Sequence, residues 1–132
     1  MTLALRLAHG TMGALFALSV VLQFNDPNPV AWIVLYAMAA GAASLVAFGK
    51  YACAQILGAI VLVIGIILEI PYIRSRAWQT SFSDLTKEWH MTSDAIVDGR
   101  EFYALFWIIG WMIAVVITAR WAMKKAPSAS TD

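Results

Sequence analysis

The chain has 132 residues, of which 61% are hydrophobic and only 13% are charged, and its mean hydropathy is +0.75. This composition lies outside the range of soluble domains. It predicts an integral membrane protein, which has the lipid bilayer as a partner. The formal net charge of +1 with scattered basic residues argues against nucleic acid as a partner, and the single cysteine, Cys53, excludes an internal disulfide.

Four apolar segments are long enough to cross a bilayer as helices, which takes about 20 residues at roughly 1.5 Å each. They run without the alternation typical of barrel strands, and a helix satisfies its own backbone hydrogen bonds in lipid. The predicted fold is all-α, an antiparallel up-down four-helix membrane bundle that forms a single domain over residues 1–125. The predicted spans are residues 3–24, 30–48, 52–73 and 102–121.

Small residues recur at four-residue spacing in every predicted span, which predicts close approach between the helices. The pairs and triplets are Gly10 with Ala14, Gly13 with Ala17, Ala39 with Ala43 and Ala47, Ala54 with Gly58, and Gly110 with Ala114. Composition alone produces such spacing often, so the pattern does not identify the packing partners.

A dense polar break, residues 23–29 with the sequence Gln-Phe-Asn-Asp-Pro-Asn-Pro, separates the first two spans. Its prolines stop the first helix, and its amides and carboxylate are typical of turns. The prolines alone would end the helix, so the polar residues Gln23, Asn25 and Asp26 are not needed for that purpose. We expect this segment to form one wall of a polar cluster at the helix ends.

The third span carries an acid, Glu69, about one turn before its end. An ionised carboxylate is costly in a bilayer, and the helix dipole disfavours an anion near a C-terminus. Glu69 is therefore predicted to be paired or protonated, and Arg74 and Arg100 are its candidate partners. An ion pair that ties helix ends together is the simpler interpretation, and a polar pocket or proton-accepting site is the functional one.

The segment 74–101 is predicted to be an outer loop that contains a short amphipathic helix. Ser83 is the predicted N-cap, and Leu85 and Trp89 would share the apolar face one turn apart. A helix that lies on the membrane surface and covers the bundle is the simpler interpretation, and a substrate lid is the alternative.

A second short helix is predicted to lead into the last span, with Asp94 in its first turn and Gly99 weakening the junction. Arg100 and Glu101 then open the span at the level of Glu69 and of residues 23–29. The predicted site is thus an outer polar cluster, and no catalytic residue is assigned. Its members are Gln23, Asn25, Asp26, Glu69, Arg100 and Glu101.

Aromatic residues at four-residue spacing, Tyr103, Trp107 and Trp111, form a stripe on the last span. Such a stripe packs against lipid or a neighbouring helix by default, and stacking on a flat lipophile is the alternative. His9 and His90 fall at opposite ends of the bundle, which argues against a haem held between them. No cofactor and no metal site is predicted.

Basic residues near the span ends set the predicted orientation, with five on one side and four on the other. Arg6, Lys50, Arg120, Lys124 and Lys125 lie on the side of the termini, and Arg74, Arg76, Lys87 and Arg100 on the opposite side. We therefore expect both termini in the cytoplasm, a tight inner turn at residues 49–51 and a flexible cytoplasmic tail at residues 126–132. A bacterial inner membrane is the expected location.

Residues 23–29, followed by Trp32 and Tyr36, resemble the hallmark of the transmembrane protein 220 family, approximately Gln-x-Asn-Asp-Pro-Asp-Pro followed by a tryptophan and a tyrosine. Residues 98–105 are similar to that family's acidic and Arg-Glu motif at the start of the last span. Asn28 replaces the usual second aspartate, and Ala104 stands where glycine is common. The resemblance covers nearly the whole chain and implies a four-span membrane protein of bacteria and animals, but it implies no particular reaction.

Three functions are compatible with this sequence. A non-catalytic accessory or assembly subunit of a membrane complex is favoured, because the loops are short and no charged residue lies at the centre of a span. The alternative is a small transporter or lipid-binding protein that uses Asp26, Glu69, Arg100 and Glu101. A membrane enzyme would have only carboxylates for its chemistry, so enzymatic activity is not predicted.

Overall fold

The apolar runs fold into four membrane-length helices in the computed structural model, which describes residues 1–25, 29–87 and 94–125. The helices are, in chain order, α1 (Leu3–Leu22), α2 (Pro29–Ala47), α3 (Tyr51–Arg74), the short α4 (Phe82–Lys87) and α5 (Asp94–Lys125). Two 3₁₀ turns, Gln23–Asn25 and Ala77–Gln79, follow α1 and α3. The predicted all-α four-helix membrane bundle is confirmed.

The last helix differs most from its predicted bounds, because α5 is a continuous helix of 32 residues that begins at Asp94. At about 1.5 Å per residue it is roughly 48 Å long, well beyond the thickness of the hydrocarbon core. The predicted short helix and the last span are therefore one element, and Gly99 does not interrupt it. The predicted tail, residues 126–132, lies outside the described residues.

The two ends of the bundle differ in their connections. We call the end where α1 and α3 finish and α2 and α5 begin the loop end; the other is the termini end. At the termini end Gly49 adopts a left-handed φ of 77°, and the Lys50 N–H donates to the Leu45 carbonyl oxygen at 2.8 Å. This is the Schellman arrangement that closes a helix, and it forms the predicted tight turn between α2 and α3.

The helices pack mainly as two pairs, α1 with α2 and α3 with α5, while α2 also contacts α3 and α5. Glycines allow the close approaches: a Cβ on Gly13 would lie 2.5 Å from the Ser44 Oγ, and one on Gly58 would lie 2.9 Å from the Val115 Cγ1. Gly110 behaves differently, since a Cβ there would meet no atom within 4 Å. Only some of the small residues thus lie at helix contacts.

One face of α3 is buried along its whole length against α5. Its buried residues are Ala54, Gly58, Val61, Gly65 and Glu69. The spacing of three and four residues marks a single helical stripe, so Glu69 continues the face that packs on α5. Antiparallel register then places Glu69 between the Gly65 contact with Ile109 and the contact of Tyr72 with Glu101.

The short α4 begins one residue after Ser81, and Ser81 rather than the predicted Ser83 caps it. The Ser81 Oγ accepts from the Ser83 N–H at 3.3 Å, as an N-cap side chain does. Leu85, on the predicted apolar face of the helix, is buried with 7% exposure, whereas Trp89 lies outside the described residues.

The loop segment formed by residues 77–87 packs against α5 at Gly99. A Cβ on Gly99 would lie 3.0 Å from the Thr80 Cβ and 3.1 Å from the Leu85 Cδ2. Replacing Gly99 by valine is therefore expected to displace residues 77–87 from α5, because the overlap involves side chains on two sides. Amide hydrogen exchange should show faster exchange in α4 for Gly99→Val than for wild type, and unchanged exchange at this segment for Gly110→Val would serve as the control.

Candidate functional site

The loop end gathers polar and aromatic side chains from four helical elements around two adjoining cavities. The first cavity, of about 170 Å³, lies between the end of α1, the start of α2 and the start of α5. Its lining residues are Gln23, Trp32, Tyr36, Val97, Arg100, Glu101 and Ala104.

The second cavity, of about 300 Å³, lies between α2, the end of α3 and α5. Its lining residues are Ala31, Trp32, Leu35, Leu68, Pro71, Tyr72, Glu101 and Leu105. Trp32 and Glu101 line both cavities, so one indole ring and one carboxyl group form the partition between them.

Glu101 is held in place by a hydrogen bond across the α3–α5 interface. The Tyr72 hydroxyl donates to the Glu101 Oε2, and both side chains are partly buried. A hydrogen bond to a charged acceptor is stronger than one between neutral groups. This contact therefore fixes the carboxyl group at the partition between the two cavities.

Arg100 connects the first cavity to the loop above it. Its Nη2 donates to the Leu85 carbonyl oxygen at 2.9 Å, which ties the start of α5 to α4. The guanidinium carries five donors in a planar fork, and the Arg100 side chain also lines the first cavity. Arg100 is thus both a structural tie and a cation at the site.

Aromatic rings form the apolar wall of the first cavity and connect it to the core. The centroids of Trp32 and Tyr36 are 6.1 Å apart, and those of Tyr36 and Phe16 are 6.2 Å apart. Phe16 is only 2% exposed and belongs to the hydrophobic core. Aromatic pairs at such distances stabilise particular ring orientations.

Glu69 lies on the α3 face that packs against α5 and is 5% exposed. Among the described residues, neither of its carboxyl oxygens has a hydrogen-bond partner. Of the two predicted states of Glu69, paired or protonated, the ion pair with Arg74 or Arg100 is therefore not seen in this part of the chain. Arg74 is exposed at the end of α3, and Arg100 donates to the Leu85 carbonyl oxygen.

The two cavities differ in the charged side chains that line them. Glu101 lines both cavities, whereas Arg100 lines only the first. The described lining of the second cavity therefore carries an acid and no basic side chain.

The predicted polar cluster is thus partly assembled in the structure. Gln23, Arg100 and Glu101 line one cavity together, while Glu69 is buried on α3 and lines neither cavity. Asp26 and the side chain of Asn25 lie outside the described residues. The turn was predicted to dock on Arg100 and Glu101. Of its polar side chains, the structure describes that of Gln23, which lines a cavity together with both residues.

Tyr72 was not among the predicted site residues, although it orients Glu101. The sequence contains a signal for Tyr72, because this residue lies three positions after Glu69 on the same helix and residues three apart share a face. For Trp32 and Tyr36 the signal is the family resemblance, which includes a tryptophan and a tyrosine after residues 23–29. Their spacing of four residues places both rings on one side of α2, which matches the wall that they form.

A second polar group lies inside the bundle toward the termini end. The His9 Nε2 and the Thr118 Oγ1 are 3.3 Å apart in a hydrogen bond between α1 and α5, and the His9 ring packs edge-on against Trp111 at 5.4 Å. The His9 Nδ1 and the Trp111 Nε1 are buried without a partner among the described residues.

Comparison with protein-family models gives a match to the model described as Transmembrane family 220, helix, over residues 15–127. No curated protein and no solved structure matches the chain. The matched range includes residues 23–29 and 98–105, the two segments that carry the resemblance, and it covers well over half of the 132 residues. The chain therefore belongs to Transmembrane family 220.

Proposed function

We propose that this protein binds an amphiphile at the loop end, with the polar group in the two adjoining cavities and the apolar chain between the helices. The observation that carries the proposal is that Trp32 and Glu101 line both cavities, of which the first also has the cation Arg100 and the second is lined by three helices. Binding sites for small molecules are mostly apolar and carry a few polar groups that fix orientation.

The depth of the cavities supports a ligand from the membrane. Gln23 lies at the end of α1, and Arg100 and Glu101 lie where α5 passes out of its apolar segment. We expect both places at the level of the bilayer interface. Leu35, Leu68 and Leu105 continue the second cavity toward the hydrocarbon. An amphiphile places its polar and apolar parts at these two levels in any bilayer.

The orientation that the basic residues predict would place both termini in the cytoplasm of a bacterial cell and the loop end outside. The proposed ligand would then enter from the outer leaflet of the inner membrane. This proposal needs no chemical step, since binding and release alone account for the groups at the site.

The binding proposal is tested by photolabelling of the protein in nanodiscs with lysophospholipids that carry a diazirine in the acyl chain. We expect crosslinks in α2 and α5 at the residues around Leu35 and Leu105, and we expect excess unlabelled lysophospholipid to suppress them. Labelling confined to exposed side chains such as Val34 and Ile117 would contradict the proposal.

Replacing Glu101 by glutamine is expected to weaken binding of an amphiphile that donates a hydrogen bond to the carboxylate. Loss of a charged hydrogen bond costs about 1.5–3 kcal/mol, which corresponds to roughly 10- to 100-fold in Kd. Glutamine retains the shape and can still accept from Tyr72, so the fold should persist. Arg120→Gln, an exposed substitution near the termini end, should leave the crosslinking yield unchanged.

The accessory-subunit function is a second candidate, and a different surface favours it. An apolar groove of about 300 Å³ on α5 is lined by Phe106, Trp107, Gly110 and Trp111, and Gly110 leaves open space above the helix. A helix of another membrane protein packs closely at such a place. Co-purification in mild detergent tests this function: loss of a partner in Gly110→Val, with amphiphile labelling retained, would favour it over ligand binding.

A further inference from the structure

The second cavity has the composition of a site for an organic cation. Trp32 and Tyr72 contribute two aromatic side chains to its lining, and Glu101 contributes a carboxyl group. Aromatic faces attract an ammonium group through the ring quadrupole, most strongly for tryptophan and away from water. A carboxylate at the same wall adds a direct counter-charge.

The charge around the cavity supports the same ligand class. Glu101 is the acid in the described lining of the second cavity, and its carboxyl group accepts from the Tyr72 hydroxyl. Arg100 lines the first cavity and not the second. A positive group in the second cavity would therefore meet an acid on α5 and no basic side chain among the described lining residues.

Glu69 adds an independent observation, because its side chain is buried and its oxygens have no hydrogen-bond partner among the described residues. It lies one turn before Tyr72 on α3, beside the face that lines the second cavity and not in the lining itself. Ionisable residues inside a membrane are rare and often mark functional sites. An acid buried beside the cavity favours a positive ligand there over an anionic one.

We propose that the second cavity binds an alkylammonium group, held between Trp32, Tyr72 and Glu101. This inference rests on the proposed amphiphile binding and specifies its polar group. The volume of about 300 Å³ exceeds that of a bare ammonium group and admits the carbons attached to it. Either an aminophospholipid headgroup or a free lipophilic amine carries this chemistry.

The test compares dodecylammonium, dodecanol and dodecyl phosphate as competitors of diazirine crosslinking in nanodiscs. The bilayer is digalactosyldiacylglycerol, which has neither charge nor ammonium, so membrane partitioning is not biased by surface charge. We expect dodecylammonium to compete at a concentration at least tenfold lower than dodecanol. Glu101→Gln should abolish that preference, and Asp94→Asn, an exposed change on the same helix, should preserve it.

Equal competition by the amine and the alcohol would overturn the ammonium assignment while leaving amphiphile binding intact. Absence of crosslinks in the cavities with every probe would instead contradict amphiphile binding itself. The two failures are therefore distinguishable in one set of measurements.

The source of the ammonium group is resolved by native mass spectrometry of protein released from nanodiscs that contain phosphatidylethanolamine and phosphatidylglycerol. Retention of phosphatidylethanolamine by wild type but not by Glu101→Gln would identify a lipid headgroup. Equal loss of both lipids, with the dodecylammonium preference kept, would identify a free amine. Each result supports an ammonium site, and preferential retention of phosphatidylglycerol would overturn it.

Discussion

The Glu69→Met variant is expected to be more stable than wild type and to bind the ammonium probe more weakly. Glu69 is 5% exposed, and its carboxyl oxygens lack a partner among the described residues, so burial of this group opposes folding. Methionine has similar length and no polar atom to satisfy. Removing an unsatisfied buried polar group is expected to raise the free energy of unfolding by about 1–3 kcal/mol.

The measurement is unfolding of the micelle-solubilised protein by sodium dodecyl sulfate, followed by circular dichroism. Glu69→Gln serves as the matched control, because it removes the charge but leaves a buried polar group and should give little of the gain. Probe competition by dodecylammonium is measured on the same three proteins. A Glu69→Met protein that is less stable than wild type would show that Glu69 makes a stabilising contact and is not an unpaired acid.

The Gly13→Val variant is expected to show the largest loss of stability. A Cβ at this position would lie 2.5 Å from the Ser44 Oγ and 3.3 Å from the Ala40 carbonyl oxygen, so α1 and α2 must move apart. The serine side chain can rotate, but the α2 backbone cannot yield without losing contacts along the pair. Overpacked cores lose about 1–3 kcal/mol, and we expect the upper part of that range.

Gly110→Val is the matched control for this prediction. Both substitutions place the same β-branched residue in a helix that crosses the membrane, so their effects on helix propensity are the same. At Gly110 the added carbon meets no atom within 4 Å, and unfolding should shift little. A comparable loss of stability in the two variants would show that propensity, rather than α1–α2 contact, determines the result.

The membrane helices were predictable because burial in lipid demands apolar length, and length is readable directly from the sequence. The start of α5 was less predictable. Gly99 and the charged residues around it are typical of a helix end, but contact with Thr80 and Leu85 requires a residue without a side chain there. Tertiary packing thus outweighed the local preference of glycine for a break.

The arrangement of the candidate site could be predicted only in part. Gln23, Arg100 and Glu101 line one cavity together, because the ends of antiparallel helices lie at similar heights. The direction of Glu69 depends on the rotation of α3 about its axis. That rotation follows from the stripe of small residues on α3 taken together with its contacts on α5. The cavities themselves result from side-chain packing, which no local pattern encodes.

The helices pair as α1 with α2 and as α3 with α5, so the proposed binding site forms only when the two pairs dock. The first hairpin supplies Gln23, Trp32 and Tyr36, and the second supplies Tyr72, Arg100 and Glu101. Neither hairpin holds a complete cavity, so the proposed amphiphile would bind only the docked pair. By mass action such a ligand would stabilise the docked state over separately inserted hairpins, and a bound ligand would mark a fully assembled protein.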